Sequence, residues 1–131
     1  MRIDGVVDEY GRPYIPVYVV IPSIGVADVI PFLVDTGADR TVMTSSDARD
    51  LGIRYDSLQS GKRAIGVGET STKEFREDIY LIFRTDSNPH QERLDGVDIL
   101  LVKRVVPSLL GRDLLQKFRL TLTKGEVYLE R

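Results

Sequence analysis

The stretch most informative about the fold is residues 31–40, which read Pro-Phe-Leu-Val-Asp-Thr-Gly-Ala-Asp-Arg. Its apolar run, residues 32–34, predicts a buried strand, and Thr36-Gly37 predicts a tight turn where that strand ends. Asp35 therefore stands at the mouth of an apolar strand, where a carboxylate is partly removed from water. Carboxylates in such places are candidates for acid–base catalysis.

The sequence before Asp35 has the pattern of a β-hairpin. Residues 14–20 are rich in β-branched and aromatic side chains, which predicts a first strand. Residues 21–25 contain proline and glycine and predict the turn. Residues 26–34 then return as the strand that delivers Asp35.

After the motif, the pattern becomes more polar. A short strand is predicted at residues 41–43, and a helix of one to two turns, capped by a serine and closed by a glycine, at residues 45–52. Residues 84–96 hold the single histidine, His90, and predict a polar loop with that histidine in solvent. No partner stands at ligand spacing from it, so no metal site is predicted. Residues 97–106 predict a buried strand.

The second informative stretch contains Gly66-Val67-Gly68, in which two glycines flank one apolar residue. A polar strand is predicted after them at residues 69–76, and an apolar strand at residues 79–83. A glycine pair between strands with polar faces is typical of a mobile, exposed hairpin tip. A plain hairpin turn is the alternative reading of the same residues.

A third informative stretch, residues 107–118, reads Pro-Ser-Leu-Leu-Gly-Arg-Asp-Leu-Leu-Gln-Lys-Phe. Two apolar residues and a glycine precede a short predicted helix, whose Leu114, Leu115 and Phe118 fall on one side and would plug the end of a barrel. Residues 118–129 then alternate between apolar and polar around a central turn, which predicts a C-terminal hairpin.

Composition limits the class of protein. The 131 residues predict a single domain, 1–131, able to bury about two thirds of its unfolded surface. A net charge of −2 without a basic stripe predicts no nucleic-acid partner, and the absence of cysteine excludes disulfides and thiolate chemistry. No signal peptide is evident, and prolines divide the apolar residues 14–34 into strand-length pieces. We therefore expect a soluble, cytoplasmic protein that does not enter a membrane and needs no cofactor.

The three informative stretches, in this order, resemble the signatures of the aspartic proteases, specifically the single-domain retropepsin-like members. Asp35-Thr36-Gly37-Ala38 matches the first signature, and residues 109–115 closely resemble the second, an apolar pair followed by Gly-Arg-Asn/Asp and two leucine-like residues. The glycine pair at residues 66–68 stands where that family has its flap. The resemblance implies an all-β fold: a closed acid-protease barrel with a glycine-rich flap hairpin and one or two short helices, assembled as a homodimer.

The resemblance also implies roles for individual residues. Asp35 is one half of a catalytic acid–base pair, the hydroxyl of Thr36 reaches the partner's backbone, and Gly37 leaves its backbone free to bond the carboxylate and the substrate. Residues implied to bind substrate are Ala38, Asp39, Arg40, Ile65, Gly66, Val67 and Gly68. Because Ala38 supplies no hydroxyl donor to the ionised pair, activity is expected to extend toward weakly acidic or neutral pH.

Structural support is implied for Asp39, Gly111 and Arg112. In the family, the glycine lets its strand pass close beneath the Asp-Thr-Gly loop, and the arginine pairs with the second aspartate. We expect Asp39 and Arg112 to form a bidentate pair that braces the loop. Replacing Arg112 by alanine should then lose folded dimer as well as activity, visible as a lower melting temperature and rate. Two unrelated surface charges are the alternative.

The chain carries a single Asp-Thr-Gly, whereas hydrolysis by this chemistry uses two carboxylates that share one proton around a water molecule. Asp86-Ser87-Asn88 lacks the glycine, so the second carboxylate must come from a second copy in a two-fold dimer. We therefore expect a homodimeric aspartic endopeptidase acting on extended peptide or protein substrates. The alternatives are a peptide-binding or assembly module of the same fold with little activity, and a generic small β-barrel with a fortuitous motif.

Overall fold

The computed structural model describes residues 1–60 and 71–131. This part of the chain is mostly β, with two short α-helices. The strands are β1 Arg2–Asp4, β2 Val6–Val7, β3 Pro13–Ile21, β4 Val26–Val34, β5 Val42–Thr44, β6 Gln59–Ser60, β7 Thr72–Phe75, β8 Ile79–Phe83, β9 His90–Leu94, β10 Val97–Leu100, β11 Ser108–Leu110, β12 Arg119–Leu122 and β13 Val127–Glu130. The helices are α1 Ser45–Asp50 and α2 Arg112–Leu115, and turns of 3-10 helix cover Pro22–Ile24 and Tyr55–Ser57.

The long hairpin of β3 and β4 is the element that delivers Asp35. Its antiparallel register runs from Tyr14 opposite Leu33 to Ile21 opposite Val26. Alternate side chains of β3 point inward and are fully buried, as expected for a strand with one face on the core. A turn of 3-10 helix and Gly25, at a positive φ of 66°, close the hairpin. The predicted hairpin is therefore confirmed.

Strand order explains how two distant segments meet near Asp35. The larger sheet runs β6-β7-β10-β5-β11-β4-β3-β8-β9, with β2 paired to β3. In it, β11 lies between β4, to which it is parallel, and β5, to which it is antiparallel. The connection from β4 to β5, residues 35–41, must therefore pass over the end of β11. This crossing brings the first and third informative stretches together.

The N- and C-terminal segments form a second sheet with the order β1-β13-β12. Ile3 of β1 lies opposite Leu129 of β13, and both side chains are buried in the same apolar cluster as the larger sheet. The predicted C-terminal hairpin is confirmed as β12 and β13. Because β13 lies between the other two strands, all three strands of this terminal sheet come from one chain, and among the described residues β1 and β12 are its edges.

Several local predictions were wrong. Residues 84–96 are not a polar loop throughout, because β9 pairs with β8 along its length and carries buried Glu92. The strand predicted at residues 97–106 ends at Leu100. Helix α1 is capped by Thr44 rather than by a serine, its hydroxyl oxygen accepting from the Asp47 backbone N–H at 3.4 Å.

The predicted closed barrel is not formed by the strand pairing of the described residues. Strands β6 and β9 are the two edges of the larger sheet and are not paired with each other. Strand β6 pairs with β7, with Gln59 opposite Glu74, so the strands on either side of the predicted flap tip are antiparallel neighbours. The tip itself, Ile65, Gly66, Val67 and Gly68, lies outside the described residues. No helix in residues 1–60 and 71–131 is long and apolar enough to cross a membrane.

Candidate active site

Asp35 begins the connection over the end of β11 and is half-buried. Its backbone N–H donates to the Leu110 carbonyl at 3.0 Å, which ties the start of the loop to β11. Its side-chain Oδ1 accepts from the Gly37 backbone N–H at 2.9 Å, and its carbonyl accepts from the Ala38 N–H at 3.2 Å. A tight turn therefore presents the carboxylate at the strand end, as predicted.

Gly111, which directly follows β11, lies close against the loop of residues 35–41. A Cβ added there would lie 2.4 Å from the carbonyl carbon of Arg40 and 2.8 Å from the backbone nitrogen of Thr41. These are backbone atoms with no freedom to move aside, so only glycine fits. Arg112 N–H then donates to the Ala38 carbonyl at 2.9 Å and Asp113 N–H to the Asp39 carbonyl at 3.2 Å. The crossing of the two segments, expected from the resemblance, is present.

The predicted pairing of Arg112 with Asp39 is present, but the bidentate form is wrong. Arg112 Nη2 contacts Asp39 Oδ1, whereas Nη1 donates to the Thr36 carbonyl at 2.8 Å. The guanidinium therefore divides its donors between a carboxylate and the backbone of the turn. The ion pair is open to water, with 41% of the Arg112 side chain and 83% of the Asp39 side chain exposed.

Two residues that hold the loop were not singled out from the sequence. Asp113 Oδ1 accepts from both the backbone N–H of Thr41, at 2.9 Å, and its hydroxyl, at 2.8 Å. The same hydroxyl oxygen accepts from Gly111 N–H at 3.2 Å. The available signal was that Thr41 directly follows the first informative stretch, residues 31–40, and Asp113 belongs to the second signature, but 72 positions separate them.

The remaining predicted site residues are placed as follows. Thr36 and Arg40 are exposed, and Ala38 is half-buried. Arg40 borders a shallow cavity of about 280 Å³ that also has carboxylates on its walls. The structure thus brings residues 35–40 together with Gly111 and Arg112. The four predicted flap residues lie outside the described part of the chain.

An apolar groove runs beside the strands that deliver the loop. It has a volume of about 520 Å³ and is lined by Val6, Arg12, Tyr14, Pro16, Pro31, Asp47, Val105, Val106 and Pro107. Pro31 belongs to β4, and Pro107 directly precedes β11. Below it, the fully buried Ser108 donates its hydroxyl to Asp47 Oδ2 at 2.6 Å and accepts from Thr44 N–H at 3.0 Å.

A buried carboxylate, Glu92, lies on strand β9, outside the loop that carries Asp35. Glu92 of β9 is bound by His90 Nε2 and by Lys117 Nζ, and the His90 ring packs edge-on against Phe118 at 5.4 Å between centroids. Burial opposes the charge on Glu92, but the hydrogen bonds from Lys117 and His90 outweigh it and lower the pKa of the carboxyl. The prediction of a solvated His90 was therefore wrong.

Three features together are typical of the aspartic protease class: the β-rich fold, the Asp-Thr-Gly turn, and the segment containing Gly111 that crosses beneath that turn. The family model described as "Aspartyl protease" matches residues 24–114, which is more than half of the chain and includes the first signature and all but the last residue of the second. The chain belongs to the aspartyl protease family.

Comparison with solved structures shows that the fold is retropepsin-like. A crystal structure of a retropepsin-like aspartic protease from Rickettsia conorii matches with a TM-score of 0.62 and 22% identity, over 98% of this chain and 89% of that one. EIAV protease complexed with the inhibitor HBY-793 matches with a TM-score of 0.48 and 24% identity, over 84% and 90%. The retroviral protease-like domain of Ddi1 from Leishmania major matches with a TM-score of 0.48 and 15% identity, over 88% and 93%. At TM-scores below 0.5, the last two likenesses decide nothing further.

Proposed function

We propose that this protein is a homodimeric aspartic endopeptidase that hydrolyses peptide bonds in extended polypeptides. The observation that carries the proposal is the Asp35 turn, in which Gly37 N–H holds one carboxylate oxygen at 2.9 Å. Within residues 1–60 and 71–131, no other donor reaches that carboxylate. The second oxygen is therefore free to bind water or a second carboxylate, as the chemistry requires.

The reaction proceeds through two Asp35 carboxyls that share one proton. The ionised Asp35 takes a proton from water as the water oxygen forms a bond to the substrate carbonyl carbon, and the protonated Asp35 of the second copy donates to the carbonyl oxygen. The resulting tetrahedral diol collapses as its C–N bond breaks. A proton passes to the leaving nitrogen, so the products are a carboxylic acid and an amine.

The proposed dimer rests on the single Asp-Thr-Gly motif of the chain and is compatible with the terminal sheet. Since β13 fills the position between β1 and β12, a second copy would approach an edge of this sheet rather than exchange strands within it. Leu122 on β12 is 51% exposed, which gives that edge an apolar side chain to cover. In this proposal the whole chain, residues 1–131, acts as one protease domain per subunit, with a cytoplasmic location as a prediction from sequence.

Substrate would bind as an extended strand, mainly through backbone hydrogen bonds. The groove of about 520 Å³ beside β4 and β11 is lined mostly by Val, Tyr and Pro side chains, so it favours apolar residues near the cleaved bond. Arg40 at the loop's end and the predicted tip residues 65–68 are proposed to contact substrate. The alternative, a binding module with little activity, would not need a carboxylate held in this way.

The proposal is tested by incubating the protein with a mixed peptide library at several pH values. Wild type is compared with Asp35→Asn, with Asp50→Asn on the exposed surface of α1 as a matched control, and with a hydroxyl-containing transition-state-like inhibitor. We expect cleavage by wild type and by the control, lost in Asp35→Asn and with the inhibitor, and extending to weakly acidic or neutral pH. Cleavage that survives Asp35→Asn, or none by wild type at any pH, would contradict the proposal.

A further inference from the structure

Two side-chain contacts connect residues 35–41 to the segment after β11, and they differ in their access to water. The first is the ion pair of Arg112 with Asp39, whose side chains are 41% and 83% exposed. Exposed pairs are screened by solvent and salt, and they contribute little to holding two segments together. The second is the contact of Thr41 with Asp113, in which Thr41 is only 4% exposed.

The hydroxyl of Thr41 is used twice in this second contact. It donates to Asp113 Oδ1 at 2.8 Å and accepts from Gly111 N–H at 3.2 Å. The same carboxylate oxygen also accepts from the backbone N–H of Thr41 and from that of Leu114, each at 2.9 Å. Removing the hydroxyl would leave a buried N–H without its acceptor, which costs more than breaking an exposed pair.

The hydrogen bonds from Asp113 through the Thr41 hydroxyl end at Gly111, next to the residue that binds the catalytic turn. Gly111 directly follows Leu110, whose carbonyl accepts from Asp35 N–H at 3.0 Å. A shift of the Gly111 peptide would therefore move the start of the turn. The Arg40–Thr41 peptide lies close against Gly111, where an added Cβ would be 2.4 Å from the Arg40 carbonyl carbon. Two consecutive residues, Leu110 and Gly111, thus connect the Thr41 hydroxyl to the backbone N–H of Asp35.

We infer that Thr41 and Asp113 are positioning residues for Asp35, and that their buried hydroxyl–carboxylate contact fixes the catalytic turn on Gly111 more firmly than the Asp39–Arg112 ion pair does. The catalytic part of this inference rests on the proposed function. The positioning part does not, because it can be measured on the backbone itself. Arg112 still contributes through its bond to the Thr36 carbonyl.

The test compares Thr41→Val, which keeps the shape of the side chain and removes the hydroxyl, with Thr41→Ser, which keeps the hydroxyl. Amide hydrogen exchange at Asp35 and Gly111 is measured by NMR in both variants and in Asp39→Asn. We expect Thr41→Val to lose roughly tenfold or more of the protection at both amides, and Thr41→Ser to retain it. Asp39→Asn is expected to change it by less than about threefold, and added salt to leave wild type unchanged.

Peptide cleavage supplies the second readout. Thr41→Val should lower kcat by about tenfold or more with a smaller change in KM, because a displaced turn misplaces the carboxylate rather than the substrate, and Thr41→Ser should restore kcat. If Thr41→Val does not fold, Asp113→Ala against Asp113→Asn asks the same question, since Asn keeps an acceptor oxygen. Greater loss of protection in Asp39→Asn than in Thr41→Val, or equal protection in Val and Ser variants, would overturn the inference. Absence of cleavage by wild type would instead contradict the proposed function and leave the exchange result decisive.

Discussion

Gly111 packs against the Arg40–Thr41 peptide so closely that a methyl group has no place there. Gly111→Ala would put its Cβ 2.4 Å from the Arg40 carbonyl carbon, so one of the two segments must move. We expect a loss of about 1–3 kcal/mol or more in the free energy of unfolding, together with most of the activity. Urea unfolding monitored by circular dichroism measures the first quantity.

Gly125→Ala is the matched control, because a Cβ at Gly125 would meet nothing within 4 Å. It should leave the free energy of unfolding within about 0.5 kcal/mol of wild type. Equal stability of the Gly111 and Gly125 variants would show that the two segments do not cross as described.

The exposed pair gives a second comparison between single residues. Asp39→Asn removes one charge that is 83% exposed, and it should cost less than about 1 kcal/mol of unfolding free energy. Arg112→Ala removes the same pair and the bond to the Thr36 carbonyl, so we expect a clearly larger loss of stability and activity. Thermal melts of the two variants at low and high salt measure the difference. An Arg112→Ala variant with unchanged melting temperature and rate would contradict this account.

At the scale of elements, Glu92 connects edge strand β9 to the segment after α2. Because its pKa is below the ordinary value of 4.5 in the folded chain, its contribution to stability is fully present above pH 4.5 and is lost as the pH falls through the lowered pKa. Glu92→Gln should therefore destabilise the protein at pH 7, and the difference from wild type should shrink below pH 4.5.

Denaturant unfolding across pH 3–7 measures this difference, with Glu77→Gln on the surface as control. The groups that face Glu92 are His90 and Lys117, with Arg131 on the neighbouring Phe118 ring. Lys117→Met should reduce the pH dependence in the same direction. A stability difference between Glu92→Gln and wild type that stays constant over the whole range would exclude the ion-pair explanation.

The buried hydroxyl of Ser108 on β11 binds the first turn of helix α1 and its N-cap residue, Thr44. Ser108→Ala would leave Thr44 N–H without its acceptor and Asp47 without its donor, so we expect a loss of about 1–3 kcal/mol. Ser87→Ala in the exposed loop between β8 and β9 should change stability by less than about 0.5 kcal/mol. The two are compared by calorimetry, and equal melting temperatures would show that this hydroxyl holds nothing in place.

Elements with local signals could be predicted from the sequence, and elements with distant partners could not. The β3–β4 hairpin is rich in β-branched and aromatic residues around a turn with proline and glycine, and the C-terminal hairpin alternates between apolar and polar residues around its turn, so both were predicted. Strand β9 was missed because four of its five residues, His-Gln-Glu-Arg, are polar. Its inward Glu92 is tolerated because Lys117, 25 positions away, and His90 both bind the carboxylate. The site showed the same division, since the turn at Asp35 was predicted and Thr41–Asp113 was not.

At the scale of the whole molecule, the chain has one Asp-Thr-Gly carboxylate, and all three strands of its terminal sheet come from the same chain. In the proposed mechanism a carboxylate pair needs two subunits that meet at their Asp35 turns, with the sheet edges at β1 and β12 available on each. Strand exchange between subunits is not required, because β13 already lies between its neighbours. We expect specific activity to fall on dilution, as subunits separate.

The central claim, that each active site takes one Asp35 from each of two copies, is tested most directly by mixing subunits. Wild type and Asp35→Asn are mixed in equal amounts, unfolded together and refolded. Their cleavage rate is compared with that of wild type alone at the same total protein concentration. Random pairing into dimers predicts about a quarter of the activity, because only one pair in four carries two carboxylates. A control mixture in which Asp50→Asn replaces Asp35→Asn should keep the activity near that of wild type. One half of the activity in the Asp35→Asn mixture would show that each chain acts alone and would contradict the account.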